Sequence, residues 1–158
     1  MFYSCLRKWT IDLIWPAFPI KPLREEQYSD VCKIFKDCFD LEEFPYIKFK
    51  EIWDSRVKET CGYFIHSKLV AFAIVIEKRK MKYLYFFGVT PELQHNGIGT
   101  KILKHILEKV PSIYLWPISD RLKRWYEGHG FHRTSSGYYN YHKYPIRSRA
   151  RPWRLYAS

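Results

Sequence analysis

The sequence predicts a single-domain α/β sandwich, a central mixed β-sheet flanked by helices. Three observations carry that prediction. Strand and helix periodicities alternate along the chain in the order β-α-α-β-β-β-α-β-α-β-β. A length of 158 residues with a 47% apolar fraction suits one buried core. No internal repeat, low-complexity tract or Gly/Ser linker marks a second unit. The expected organisation is an N-terminal arm over 1–17, the folded domain over 18–144 and a basic C-terminal tail over 145–158.

Each element has its own signature. Phe18 to Leu23 reads as a short strand, and its prolines suit an edge. Arg24 to Phe39 spaces Tyr28, Val31, Cys32 and Phe35 at helical intervals, with Glu25 and Glu26 in the first turn. Tyr46 to Val57 repeats the pattern through Ile47, Ile52, Trp53 and Val57. Gly62 to His66 and Leu69 to Ile76 flank Ser67-Lys68, which predicts a hairpin turn without its favoured glycine. Lys82 to Val89 is apolar throughout, as a strand covered on both faces would be. Gly97 to Val110 is the clearest helix, with Ile98, Ile102, Leu103, Ile106 and Leu107 on one face and Pro111 as the stop. Ser112 to Trp116 is a fifth strand. Ser119 or Asp120 caps a helix running to Glu127, which Gly128 and Gly130 end. Phe131 to Tyr144, broken at Ser135-Ser136-Gly137, reads as a closing β-hairpin.

Composition narrows the class. Aromatics make up 19% of the chain, which excludes an intrinsically disordered segment. Cys5, Cys32, Cys38 and Cys61 show no CxxC or CxxH spacing, so no metal site is expected, and reduced thiols imply a cytoplasmic setting. Arg7 and Lys8 before an apolar run loosely imitate a signal peptide, but Asp12 and Pro16 interrupt it; an arm packed on the domain is expected. No stretch reaches the ~18 apolar residues of a membrane span. The formal charge is +11, and five basic residues with no acid lie between Lys143 and Ser158. Contact with nucleic acid is therefore expected only through that tail, if at all.

The chemistry concentrates where the strand ending at Val89 meets the helix beginning near Gly97. Gly97 and Gly99 remove side chains where a ligand must approach the backbone. The first helical turn offers unpaired N–H groups and the positive end of the dipole, a position that suits a pyrophosphate. Thr100 and Lys101 add a hydroxyl and a positive charge. A dinucleotide fingerprint needs a third glycine, and a triphosphate loop needs a Gly-Lys-Ser/Thr ending; neither is present.

Gln94-x-x-Gly97-x-Gly99, following Val89-x-Pro91, resembles the acetyl-CoA signature of the GCN5-related N-acetyltransferase (GNAT) family. Tyr126-Glu127-x-x-Gly130-Phe131 is similar to that family's late motif, and it falls 29 residues after Gly97 with one strand and one helix between. The resemblance covers residues 20–144 and implies the acyl-CoA N-acyltransferase sandwich with acetyl-CoA as co-substrate. The cofactor-binding residues it implies are Phe87 and Val89 on the strand, Gln94, His95, Asn96, Gly97, Ile98, Gly99 and Thr100 across the loop, and Ser119. Tyr126 matches the tyrosine that protonates the coenzyme A sulfur; a phenol near its usual pKa of about 10 suits that task. Its bland alternative is a groove-lining ring beside Trp125.

Two departures from the family pattern stand out. Tyr83 to Val89 holds no carboxylate where many members carry a glutamate base, which leaves Glu77, His66, Glu92, His129 or a water relay. Ser119 replaces a common asparagine and doubles as a helix cap. The resemblance assigns the acceptor to the first two helices and the last hairpin. There Asp37, Asp40, Glu42, Glu43 and Glu51 lie among aromatics, and Tyr138, Tyr139, Tyr141, His142 and Tyr144 follow later. A primary amine is the expected acceptor, either a small molecule or a protein lysine or N-terminus, bound by a monomer or homodimer. The competing readings are a basic nucleic-acid-binding module and a non-catalytic acetyl-CoA-binding homologue.

Overall fold

A computed structural model describes residues 19–39, 41 and 43–144. The expected arm and basic tail, together with Asp40 and Glu42, lie outside the described residues. Seven strands form one sheet in the order β1-β2-β3-β4-β5-β7-β6. They are β1 (Ile20–Pro22), β2 (Cys61–Ile65), β3 (Lys68–Lys78), β4 (Met81–Val89), β5 (Ser112–Leu115), β6 (His132–Arg133) and β7 (Tyr139–His142). Four helices flank it: α1 (Tyr28–Phe39), α2 (Tyr46–Asp54), α3 (Ile98–Lys109) and α4 (Asp120–Glu127). Every neighbouring pair is antiparallel except β4 with β5, which α3 connects as a crossover. This is the mixed α/β sandwich that the periodicities predict.

β3 is the centre. Its residues from Leu69 to Ile76 are all buried, so alternate side chains feed two cores. One core joins Ala71, Ala73 and Val75 to α3 through Ile102, Leu103 and Ile106. The other joins Phe72, Ile74 and Ile76 to α1 and α2 through Val31, Phe35, Phe49 and Trp53. Fully burying side chains of this size is worth about 1.5–3 kcal/mol each, so both helix layers are held by the same strand.

The local differences from expectation have physical causes. The first helix opens with a 3-10 turn at Glu25–Gln27 and becomes α-helical only at Tyr28. α2 ends at Asp54 rather than Val57, because Arg56 bridges Ile76 and the Val57 N–H donates to the Val75 carbonyl at 2.9 Å. The β2–β3 turn is His66-Ser67, one residue earlier than predicted. Both residues adopt left-handed backbone, with φ of 47° and 64°. Arg79-Lys80 repeats that geometry between β3 and β4, at 51° and 64°. These conformations suit two-residue hairpins and cost about 1–2 kcal/mol at each non-glycine residue.

Candidate active site

The site begins as a gap in the sheet. β4 and β5 pair only at Tyr83 with Tyr114, although β4 runs on to Val89. Its other edge stays paired with β3 as far as Ala71 opposite Val89. The Thr90 N–H donates to the Val70 carbonyl at 2.8 Å. Strand alternation therefore turns the amides of Phe87 and Val89 away from β3 and toward the gap. The Val89 carbonyl is already held: the Cys38 thiol donates at 3.1 Å and the Gln94 carboxamide at 3.0 Å. The Phe87 amide has no strand partner on that side.

A pocket of about 530 Å³ fills the gap. Its walls are β4 from Leu84 to Val89, the segment Leu115–Ser119 that leaves β5, part of α4, and the end of α1 at Cys38 and Phe39. The loop and first helical turn between Leu93 and Thr100 close it, Asn96 excepted. The Asn96 carboxamide instead donates to the carbonyls of Leu93 and Gln94, at 3.3 and 3.2 Å.

That loop leaves a helix start bare. His95 (φ 65°) and Gly97 (φ 81°) adopt left-handed backbone, and Gly97 occupies the N-cap without any side-chain cap. The first helical hydrogen bond runs from the Lys101 N–H to the Gly97 carbonyl at 3.1 Å. The N–H groups of Ile98, Gly99 and Thr100 find no acceptor among the described residues, so they and the helix dipole face the pocket. The two glycines act differently. A Cβ at Gly97 would touch nothing within 4 Å, so the positive φ alone calls for glycine there. A Cβ at Gly99 would make ordinary contact with Phe87 at 3.6 Å and Trp125 at 3.8 Å. It would fit, and it would take up pocket space.

Arg121 completes this end, and sequence reasoning missed it. Among the described residues it is the one lysine or arginine in the pocket walls, and its Nη2 lies 2.9 Å from His95 Nδ1. A signal was present: an arginine in the first turn of α4 opposes the helix dipole, which invites a reason for its being there. Lys101 does not serve. Its ammonium lies 5.9 Å from the Tyr63 ring centroid, over β2.

Tyr126 stands on α4 with its ring 6% exposed, between Trp125 at 4.8 Å and Phe131 at 5.3 Å. Its side chain lines the pocket, and its hydroxyl makes no hydrogen bond among the described residues. Burial pushes the phenol above its ordinary value, so it stays protonated. Ser119 also lines the pocket while its hydroxyl accepts from the Leu122 N–H at 3.2 Å as the α4 N-cap.

The four side chains considered as proton acceptors lie elsewhere. Glu77 pairs across from Lys82 at the far end of β3, His66 sits in a hairpin turn, and Glu92 is exposed in the 3-10 turn Pro91–Leu93. His129 Nδ1 is 2.7 Å from the Trp125 carbonyl oxygen. No carboxylate lines the pocket among the described residues, and His95 is its one imidazole. Nor do three metal-binding side chains come together among the described residues.

Near the acceptor side, Asp37, Glu43 and Glu51 are exposed. Of the hairpin tyrosines, Tyr139 is buried in the core and Tyr141 packs on Phe131, whereas Tyr138 is exposed and meets Trp116 edge-on at 5.1 Å.

Comparison with known proteins agrees with this geometry. The Acetyltransferase (GNAT) domain model matches residues 59–133. No curated protein sequence matches the chain. Among solved structures, PH1933 from Pyrococcus horikoshii superposes with a TM-score of 0.66 at 20% identity, over 79% of this chain and 98% of that one. The ribosomal-protein-S18-alanine N-acetyltransferase of Escherichia coli gives 0.61 at 18% identity, over 77% and 87%. Arabidopsis thaliana Naa50, solved with the bisubstrate analogue CoA-Ac-MVNAL, gives 0.61 at 16% identity, over 77% and 94%. These identities establish a shared fold. Residues 59–133 are therefore similar to the GNAT acetyltransferase domain, and that match spans both the bare helix start at Gly97 and the helix of Tyr126.

Proposed function

We propose that the protein transfers the acetyl group of acetyl-CoA to a primary amine by direct attack, with Tyr126 as general acid to the departing thiolate. One observation carries the reading: a single gap in the sheet is lined both by an uncapped helix start and by a buried tyrosine whose hydroxyl has no hydrogen-bond partner among the described residues. The N–H groups of Ile98, Gly99 and Thr100, with Arg121 beside them, would hold the pyrophosphate. The backbone of Phe87 and Val89 would pair with the pantetheine arm and orient the thioester carbonyl. Donors of this kind are commonly worth about 2.7–4 kcal/mol each. Gln94 contributes from behind by fixing the Val89 carbonyl, and Ser119 by capping α4.

In the reaction, the amine nitrogen bonds to the carbonyl carbon as the carbon–sulfur bond breaks, and the Tyr126 O–H supplies the proton that the sulfur gains. With no carboxylate in the pocket walls among the described residues, the amine's proton leaves through water. Three free thiols among the described residues, at Cys32, Cys38 and Cys61, fit a reducing cytoplasm.

Thermal melting with coenzyme A, followed by thiol release across an amine panel, tests the proposal. Gly97→Glu should weaken coenzyme A binding by about 100-fold, because a side chain and a negative charge enter the anion site. Gly97→Ala isolates the backbone cost, about 1–2 kcal/mol at this φ. Wild-type affinity in Gly97→Glu would refute the placement. The missing carboxylate favours one second reading, a homologue that binds acetyl-CoA without turnover; binding with no thiol release from any amine would establish it. Stabilisation by a single-stranded oligonucleotide alone would favour the nucleic-acid reading instead.

A further inference from the structure

Among the backbone groups that β4 turns toward the gap, the Val89 carbonyl is held by two side-chain donors. The Cys38 sulfur reaches it at 3.1 Å and the Gln94 carboxamide nitrogen at 3.0 Å. A carbonyl oxygen has two lone pairs, so these donors fill it.

The thiol is placed there by the way α1 ends. Phe35 packs on Phe86 at 4.8 Å and on Phe39 at 4.5 Å, which clamps the last turn of α1 over β4. Gly88 leaves room for it, since a Cβ there would come within 3.2 Å of the Cys38 sulfur. Cys32 and Cys61 are buried in the two cores. Cys38 is the one thiol among the described residues that lines the pocket. Burial pushes it up to about 11, so it stays protonated and can donate.

The two donors are unequal. The Gln94 carboxamide carries a full-strength N–H, whereas a thiol is a weak donor. The arm of coenzyme A carries two amide groups. An arm that pairs along this edge brings N–H donors as well as carbonyls, and those donors need strand carbonyls in return. At Val89 both places are taken, so the weaker donor gives way first.

We infer that Cys38 is a placeholder for the cofactor arm: its thiol holds the lone pair of the Val89 carbonyl that an arm amide takes over, and the contact given up helps to set cofactor affinity. The inference rests on the acetyl-transfer reading above, which supplies the arm. It makes Cys38 a control on binding and gives its sulfur no part in the chemistry. A stronger donor at this position should hold the carbonyl harder, and a side chain with no donor should release it.

The test is calorimetric titration of the full chain and two variants with coenzyme A. Cys38→Ala removes the competitor and should tighten binding by about threefold. Cys38→Ser installs a stronger hydroxyl donor and should weaken it by about threefold. The nucleotide diphosphate half of coenzyme A, which lacks the arm, should bind all three proteins alike. A thiol that only packs gives the opposite order, with Ser near wild type and Ala weakened by the cavity it leaves. That order overturns the inference, and so does an equal shift with the armless nucleotide. If the Ala variant does not fold, the Ser variant decides alone, and an unchanged affinity overturns the inference. Amines acetylated by a protein whose variants bind in the wrong order would remove this inference and leave acetyl transfer intact. The expected order with no amine acetylated would do the reverse. Coenzyme A bound by none of the three removes both.

Discussion

The two edges of β4 show how one strand can serve opposite purposes. Toward β3 it is paired from Met81 opposite Lys78 to Val89 opposite Ala71, broken by one bulge that leaves Tyr85 without an opposite residue. Toward β5 it is paired at Tyr83 alone. Backbone groups left unpaired in a protein interior are costly, so most chains close such a gap. Here the open edge is tolerated because the pocket beside it admits solvent or ligand, and the closed edge bears the structural load. Side chains should divide the same way. Those on the open edge should govern binding and turnover with little effect on stability, and those packed behind the closed edge should do the reverse.

The largest test of that division is Tyr126→Phe. The ring keeps its packing against Trp125 and Phe131, and the hydroxyl has no protein hydrogen bond to lose among the described residues. Turnover should fall by about 100-fold, the usual scale of a lost general acid. The KM for acetyl-CoA and the melting temperature should stay near wild type. Stopped-flow thiol release together with calorimetry measures both; unchanged turnover would move the proton source elsewhere.

Gly88→Val probes the closed edge. A Cβ at Gly88 would lie 2.9 Å from the Phe72 ring and 3.2 Å from the Cys38 sulfur, so α1 or β3 must give way. Overpacking of this sort costs about 2 kcal/mol. Denaturant unfolding should show that loss; because Gly88 also lines the pocket, coenzyme A affinity measured on the folded fraction should fall by far less than in Gly97→Glu. A variant with intact stability and lost affinity would abolish the distinction between the edges.

The sequence made some of this legible and hid the rest. β3 and α3 could be read because each repeats its apolar pattern without interruption: Leu69 to Ile76 as a continuous run, Ile98 to Leu107 as one helical face. Val57 misled for a physical reason, since it is apolar at helical spacing yet its N–H serves the sheet. The hairpin turns were obscure because His66, Ser67, Arg79 and Lys80 take left-handed backbone without a glycine to announce it. At the site, the glycine loop stood out as a local motif. Cys38 and Arg121 did not, because separate helices bring them to the loop. Lys101, adjacent to the motif, is turned toward β2 by the helical rotation of 100° per residue.

Arg121 sharpens the account of the open edge. Its guanidinium lies against His95, exposed at the pocket rim, so its pairing with a phosphate would be screened by water and salt. Arg121→Ala should raise the KM for acetyl-CoA by about tenfold at low ionic strength, close to 1.4 kcal/mol. The penalty should shrink at high salt while kcat holds. Equal penalties at both salt concentrations would mean that the side chain acts by packing.

Two thiols give the finest comparison. Cys38 reaches the open edge from α1, its thiol on the Val89 carbonyl, and Cys61 lies on β2, across β3 from the closed one. Burial pushes Cys38 up to about 11 and Cys61 up to about 12, from an ordinary value of 9.0. For each, the protonated folded form is favoured: its stabilising effect is complete below pH 9 and is lost as pH rises toward the folded value. For Cys61, 3% exposed, that loss should approach about 1.4 kcal/mol per pH unit above pH 9, and Cys61→Ala should flatten the dependence. Reactivity separates the pair. At pH 8 roughly one Cys38 in a thousand is thiolate, so alkylation should be slow and accelerate about tenfold per pH unit. Coenzyme A should slow it further at Cys38 and leave Cys61 unaffected, as mass spectrometry of the labelled peptides would show. Equal protection of both thiols would mean that the ligand tightens the whole fold, and the open edge would lose its separate identity.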